Sequence, residues 1–197
     1  MRLTGALVVF EPASIKDEVQ FKKAIQQAHI VKYANDRIDS VDEFVSSSPV
    51  LLIETLGGDG LKFKYIKEEQ RKGEWVMLPA FKVEVFRDAA GSGDWCTAGL
   101  MHRLGQYGGS RFFDYNDGDI AAALQYGQAL SALNCSFIGA RGGMYVLERE
   151  VLEEYAYTIL EQNVSPEDFS APDSDDIRNV IRAFCPSCGD EALETMK

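Results

Sequence analysis

The residues best suited to chemistry are Gly91-Ser92-Gly93-Asp94. Glycines at 91 and 93 let the backbone curl so that successive amides converge, and a helix starting just behind them adds the positive end of its dipole. The amides of Gly91, Ser92 and Gly93 then form a cradle for a phosphate-like anion. Asp94 stands at the same helix start, where a carboxylate can take the proton of a hydroxyl attacking a phosphorus atom held by those amides. The same residues also suit a plain strand-to-helix turn with Asp94 as N-cap, and spacing alone leaves both readings open. Two other phosphate loops are excluded. The pattern G-x-G-x-x-G fails because Cys96 stands at the third glycine position, and no Gly-Lys-Ser/Thr run exists anywhere.

Other chemical residues carry weaker signals. Cys185-Pro186-Ser187-Cys188, followed by Gly189, has the spacing of half a zinc knuckle. A structural zinc needs four ligands, and the remaining candidates are Cys96 and Cys135 on apolar helices and the two histidines, His29 and His102. A zinc pair and two reduced thiols both remain open. His102, two turns into the helix behind the glycine loop, is either near a ligand or a helical surface residue. Arg111 and Arg141 are either phosphate contacts or surface ion pairs. Phe112-Phe113-Asp114-Tyr115 is either an aromatic patch for a partner or loop packing.

These residues need elements to hold them, and the chain alternates strand and helix. Residues 6–10 form a continuous apolar run, as in a strand covered on both faces. A helix follows, with Ser14 as N-cap, Asp17 in its first turn, and a stripe of Phe21, Ala24, Ile25 and Ala28. Ile30 and Val31 begin a second strand, a short helix lies around Val41, Phe44 and Val45, and residues 50–54 form a third strand. The turn Gly57-Gly58-Asp59-Gly60 leads into alternating residues 61–65, which predicts an antiparallel hairpin near 51–66. Residues 68–73 read as a charged turn, 75–78 as a strand and 83–86 as another. Helices are expected over about 95–106, 120–133 and 150–162. Residues 108–115 read as a loop, 139–143 as a turn and 144–147 as an edge strand. The expected fold is three-layer α/β/α, Rossmann-like, with a mostly parallel sheet. In such sheets ligands sit beyond the carboxyl ends of the strands.

Composition limits the function classes. With 46% hydrophobic and 26% charged residues over 197, the chain can bury a core without disulfides or metals. Four cysteines are too few for a disulfide framework at this length. No stretch of about 18 uninterrupted apolar residues is present, so no membrane partner is expected. The apolar run at 6–10 is too short for a signal-peptide core, which reads as cytoplasmic. Thirty-one acidic against 20 basic residues leave a formal net charge of −11, which repels a phosphate backbone and argues against nucleic acid as partner.

The segment Asp88-Ala89-Ala90-Gly91-Ser92-Gly93-Asp94-Trp95-Cys96-Thr97-Ala98-Gly99-Leu100 resembles the C-terminal signature of the ribokinase-like (PfkB) carbohydrate and nucleoside kinases, roughly D-T-x-G-A-G-D and a helix with Gly-Leu. Four further segments resemble that family in its order. Gly5-Ala6-Leu7-Val8-Val9-Phe10-Glu11-Pro12 resembles the strand ending in Asp-Pro-Asn, and His29-Ile30-Val31-Lys32 the strand before N-x-x-E. Thr55-Leu56-Gly57-Gly58-Asp59-Gly60 resembles the T-L-G-x-x-G nucleotide turn. Residues 122–133 with Gly139-Ala140 resemble the helix and turn that flank the adenine. The resemblance runs from about residue 5 to about residue 148.

It implies an ATP-dependent phosphotransferase acting on a hydroxyl of a sugar or nucleoside-like acceptor. Asp94 would be the general base, with Gly91, Ser92 and Gly93 supplying the anion hole. Thr55, Gly57 and Gly60 would contact the nucleotide, Gln128 would align with an Asn near the adenine, and Gly139 and Ala140 would flank it. Mg2+ would accompany ATP, and a monovalent cation such as K+ would bind near Asp88. The sequence departs from the family pattern at several points. The Asn and Glu of N-x-x-E, which organise Mg2+ through water, fall on Ala34 and Arg37, with Asn35 and Asp36 between them. Ala89 replaces the usual Thr, and Trp95 stands where Ala or Thr is common. The long N-terminal portion that supplies the lid and acceptor contacts is not matched. Residues 1–150 are therefore expected to be the nucleotide-side portion of such a kinase, a fragment or subunit, and 151–197 an acidic helical extension. A homodimer and the absent N-terminal portion are both open as partners. A non-catalytic nucleotide-binding or regulatory module is the alternative, and a Rossmann oxidoreductase is disfavoured by the missing glycine.

Overall fold

The computed structural model describes residues 5–45, 50–67 and 73–163. The Cys185/Cys188 pair and the rest of the expected acidic helical extension beyond residue 163 lie outside the described residues. Two compact units are present, one from residues 1–80 and 99–125, the other from 81–98 and 126 onward.

The first unit holds a five-stranded sheet in the order β1-β2-β3-β4-β5. β1 (Val9–Phe10), β2 (Ile30–Ala34) and β3 (Val50–Thr55) run parallel, with Ile30 opposite Leu51 and Ala34 opposite Thr55. β4 (Leu61–Ile66) folds back antiparallel on β3, as the alternating pattern predicts, and β5 (Val76–Leu78) pairs antiparallel on β4. Period two assigns the faces. Val31, Tyr33, Val50 and Leu52 form one face and pack with Phe21 and Ile25 of α1 (Glu18–Gln27) and with Phe44. Leu61, Phe63 and Tyr65 point the other way, and the Tyr65 ring meets the buried Phe112 at 5.5 Å. Two charged groups are sunk into this sheet, Lys32 of β2, which pairs with Glu11 at 3.2 Å, and Glu54 of β3. Glu54 accepts the Tyr33 hydroxyl at 2.8 Å and the Lys62 ammonium at 2.9 Å. Burial, then the Glu54 carboxylate, pushes the Tyr33 hydroxyl up, so it stays a donor.

The second unit is helical. Its core joins Tyr126, Ala129, Leu130 and Leu133 of α4 (Asp117–Asn134) to Ala156 and Ile159 of α6 (Arg149–Gln162). α2 (Ser92–Leu104) lies close to α4 here, since a Cβ on Gly127 would come within 2.4 Å of the Cys96 carbonyl oxygen. Only glycine permits that approach.

Several expectations change. Asp17, not Ser14, caps α1, its carboxylate accepting the Gln20 amide at 3.0 Å. The first strand is two half-buried residues rather than five, because the Val8 amide donates to the buried His29 Nδ1 instead of a strand. Residues 83–86 form no strand. The amides of Arg87 and Asp88 donate to the Cys135 carbonyl, and Val85 and Phe86 are exposed. Residues expected as an edge strand at 144–147 belong to α5 (Gly142–Val146), which closes helical bonds such as Leu147 amide to Gly143 carbonyl. Gly142 and Gly143 lie against Phe137, and at Gly142 a Cβ would come within 2.5 Å of the Phe137 Cβ, so a side chain there would hinder the turn. The loop expected at 108–115 includes α3 (Gly108–Arg111) and a 3-10 turn that buries Phe112, so the packing reading holds for Phe112, while Phe113 stays exposed. Arg111 pairs with Asp114 at 3.1 Å.

Candidate functional site

In the second unit the loop before α2 is built by local rules. Gly91 has φ +74°, a left-handed conformation that favours glycine, and the helix starts at Ser92. Asp94 is therefore the third helical residue rather than the N-cap. It lies in the first turn, where a carboxylate meets the positive end of the dipole. Its side chain is exposed and makes no hydrogen bond or ion pair among the described residues. The Ser92 amide donates back to the Ala89 carbonyl at 3.1 Å, so in this structure it serves the turn.

Asp88 organises what surrounds the loop. One carboxylate oxygen accepts the Ala90 amide and the other the Gly139 amide, both at 2.9 Å. These amides hold the Asp88 carboxyl below the usual carboxylate range. Burial, with the Asp88 charge added, pushes the neighbouring Cys135 thiol up. The loop and the 139–143 turn touch directly. A Cβ on Gly91 would lie 2.7–2.8 Å from Ala140 atoms, so the two backbones pack without an intervening side chain. Gly139 has φ +81° but open space around it.

A cavity of about 570 Å³ opens beside α2, with Asp94, Trp95, Ala140, Arg141, Met144 and Arg149 among its lining residues. Most of the wall is apolar, with charge confined to Asp94 and the two arginines. This is the pattern of a small-molecule site with a few polar groups to orient the ligand. Gln128 and Asn134 of α4 are buried, and Gln128 Nε2 and Asn134 Oδ1 have no partner among the described residues. Asn134 Nδ2 donates to the Ala90 carbonyl at 3.0 Å.

Two residues of this arrangement were not assigned from the sequence. Trp95 donates its indole N–H to the Ala140 carbonyl at 2.8 Å, and Asn134 fastens the loop to the end of α4. The available signals were a bulky aromatic directly after Asp94 and a lone amide ending an Ala-rich helix.

Thr55, Gly57 and Gly60 belong to the first unit. Thr55 ends β3, and its hydroxyl donates to the Tyr33 carbonyl at 3.4 Å. Gly57 (φ +60°) borders open space. Gly60 (φ +105°) is jammed against the end of β5, since a Cβ would meet the Leu78 carbonyl oxygen at 2.3 Å. Gly60 is thus required for packing, whereas Gly57 presents an open edge. In the same unit Ala34 ends β2, and exposed Asn35, Asp36 and Arg37 turn away from the strand, with the Asn35 amide bonded to the Thr55 carbonyl. Among the described residues no three His, Cys, Asp or Glu side chains converge as metal ligands. The turn after β2 has no Glu at the position the family uses, so its residues do not fit the Mg2+-organising role.

No helix among the described residues is long and apolar enough to cross a membrane. No family model and no curated protein matches the chain. Solved structures do. A ribokinase from Giardia lamblia superposes with TM-score 0.60 at 19% identity, covering 77% of this chain and 50% of that one. A nucleoside kinase from Burkholderia thailandensis, in complex with inosine, gives 0.57 at 21%, covering 84% and 51%. A fructokinase double mutant from Vibrio cholerae, in its fructose-, ADP- and potassium-bound form, gives 0.52 at 19%, covering 71% and 44%. The chain spans about half the length of these kinases. It has the ribokinase-like α/β fold shared by these sugar and nucleoside kinases.

Proposed function

We propose that this chain is the nucleotide-side half of an ATP-dependent phosphotransferase whose acceptor is a hydroxyl of a sugar or nucleoside-like molecule. The observation that carries the reading is the loop of residues 88–94. A left-handed glycine leads into a helix whose first turn holds an unpaired, exposed carboxylate at the edge of a ligand-sized cavity. The fold match to sugar and nucleoside kinases supports it.

In this mechanism the acceptor hydroxyl gives its proton to Asp94 as its oxygen attacks the γ-phosphorus. The bond from that phosphorus to the bridging oxygen breaks, and ADP leaves. Amides at the start of α2 and the helix dipole stabilise the negative charge that grows on the transferred group. Asp94 needs no release from another partner before it takes the proton. Gln128 Nε2, a buried donor without an acceptor, would be satisfied by a ring nitrogen of the base. Gly139 and Ala140 would contribute from the turn beside the loop. Mg2+ arriving with ATP would be held mainly by phosphate oxygens and water. Acceptor choice would rest with the half of the kinase fold that this chain does not match.

The test is Asp94→Asn. Because the carboxylate makes no bond, stability should stay within about 0.5 kcal/mol. ATP affinity should stay near wild type, while phosphoryl transfer to the best acceptor in a sugar and nucleoside panel falls by about 10²–10⁴-fold. Equal turnover would overturn the assignment. Ala34 and Arg37 favour a second reading, a nucleotide-binding module without catalysis. ATP affinity that is indifferent to Mg2+, with no acceptor turned over by wild type, would select it.

A further inference from the structure

Backbone carbonyls and a carboxylate are the ligands a monovalent cation takes, and the loop of 88–91 and the turn of 139–143 bring such oxygens together. Potassium is named with the solved fructokinase, and the family resemblance puts such an ion near Asp88. In this chain the oxygens in question already serve other donors. Both Asp88 oxygens already accept backbone amides, from Ala90 and Gly139. The Ala90 carbonyl accepts Asn134 Nδ2 at 3.0 Å, and the Ala140 carbonyl accepts Trp95 Nε1 at 2.8 Å. Each of these oxygens keeps a further lone pair, but one is already taken by an N–H donor, so a cation arriving there meets four partly positive hydrogens and a weakened set of acceptors. Ala89, Gly142 and Gly143 bring no hydroxyl to add to the set.

Trp95 is the donor that reaches furthest. It stands in the first turn of α2 and bonds a carbonyl 45 residues away. Its ring is anchored, packing against Tyr126, Leu130 and Ala156. A Cβ on Gly143 would lie 3.7 Å from the ring edge, so the indole abuts the 139–143 turn at two points. The ring is rigid, and its N–H has one direction, so it holds the turn at a set distance from the anion loop.

We propose that the Trp95 indole braces the 139–143 turn against the 88–91 loop in place of a bound monovalent cation, so that this chain works independently of potassium. The consequence for nucleotide binding rests on the function proposed above, whereas the brace itself does not. Trp95→Phe keeps the ring in its apolar cluster and removes only the N–H donor.

Amide hydrogen exchange on the full chain reads the brace without any nucleotide. Wild type should exchange equally over 88–91 and 139–143 in potassium chloride and in tetramethylammonium chloride. Trp95→Phe should exchange about tenfold faster there, as expected for one lost hydrogen bond. Potassium that slows exchange in wild type severalfold, or a variant that exchanges like wild type, would overturn the brace. ADP titration of the same proteins separates the two ideas. Wild-type affinity should be the same in both salts. ADP binding that requires potassium overturns the brace and leaves the nucleotide reading intact. A wild type that shows the expected exchange pattern yet binds no ADP overturns the nucleotide reading and leaves the brace standing.

Discussion

Replacing Gly91 and Gly139 by alanine, one at a time, separates backbone strain from steric clash. Both glycines are left-handed, with φ of +74° and +81°. An L-residue in that region costs about 1–2 kcal/mol. Alanine also restricts the unfolded chain, a gain of about 0.4–1 kcal/mol that both variants share. Their surroundings differ. At Gly139 nothing lies within 4 Å of a new Cβ, whereas at Gly91 the Cβ would sit 2.7–2.8 Å from backbone and side-chain atoms of Ala140. Backbone cannot swing away as a flexible side chain can, so overpacking adds about 1–3 kcal/mol at Gly91 alone. With that gain subtracted, Gly139→Ala should cost roughly 0–1.5 kcal/mol and Gly91→Ala roughly 1–4.5 kcal/mol. Urea denaturation followed by tryptophan fluorescence measures both. Against a typical total stability of about 5–15 kcal/mol, Gly91→Ala can approach the folding limit while Gly139→Ala stays folded. If Gly139→Ala costs as much as Gly91→Ala, the close contact between loop and turn is wrong.

The remaining predictions concern the same unit. Asp88 has its folded pKa depressed by the amides of Ala90 and Gly139, so its contribution is present above the unfolded value, near 3.9, and is lost as pH falls through the folded value. The stability gap between wild type and Asp88→Asn should hold from neutral pH to about pH 4 and close below it; urea midpoints across that range check this, and a gap that widens in acid refutes it. Gln128→Met removes a buried donor without a partner, so apo stability should hold or rise by up to about 1–2 kcal/mol while ADP affinity falls. Calorimetric titration and thermal unfolding test both halves, and a stability loss above about 1 kcal/mol would show that the amide is satisfied.

Local patterns were legible wherever one periodicity had one consequence. The alternation Leu61-Lys62-Phe63-Lys64-Tyr65 after a glycine turn could bury one face only by folding back on β3, and it does. The Ala-rich run of α4 and the stripe of α6 were equally plain. Residues 83–86 and 144–147 show the limit. Val83-Glu84-Val85-Phe86 alternates like a strand, but its neighbours donate to Cys135 at the end of α4, and no sheet edge takes it up. Met144-Tyr145-Val146-Leu147 is β-prone, yet Gly142 and Gly143 packed on Phe137 start a helical turn there. Strand propensity counts only when a partner edge is available. Likewise Asp17 displaced Ser14 as the cap, because the boundary depends on where the helix packs its Phe21 and Ile25 face.

By itself the sequence determined the local character of the loop before α2. A glycine at 91 before a helix, with Asp94 at the helix start, calls for a curled backbone and a carboxylate near a positive dipole end, because those are local properties of residue type and spacing, whereas the structure placed Gly93 and Asp94 inside the first turn of α2. It also determined the strand–helix alternation that made an α/β fold the expectation. Tertiary structure alone decided what holds that loop in place. The Gly139 amide on Asp88, the Asn134 amide on Ala90 and the Trp95 indole on Ala140 join residues 44 to 51 positions apart, and no local periodicity encodes such pairings. They arise only when α4 and the 139–143 turn pack beside the loop, and they turn Trp95 from a bulky exception into a brace.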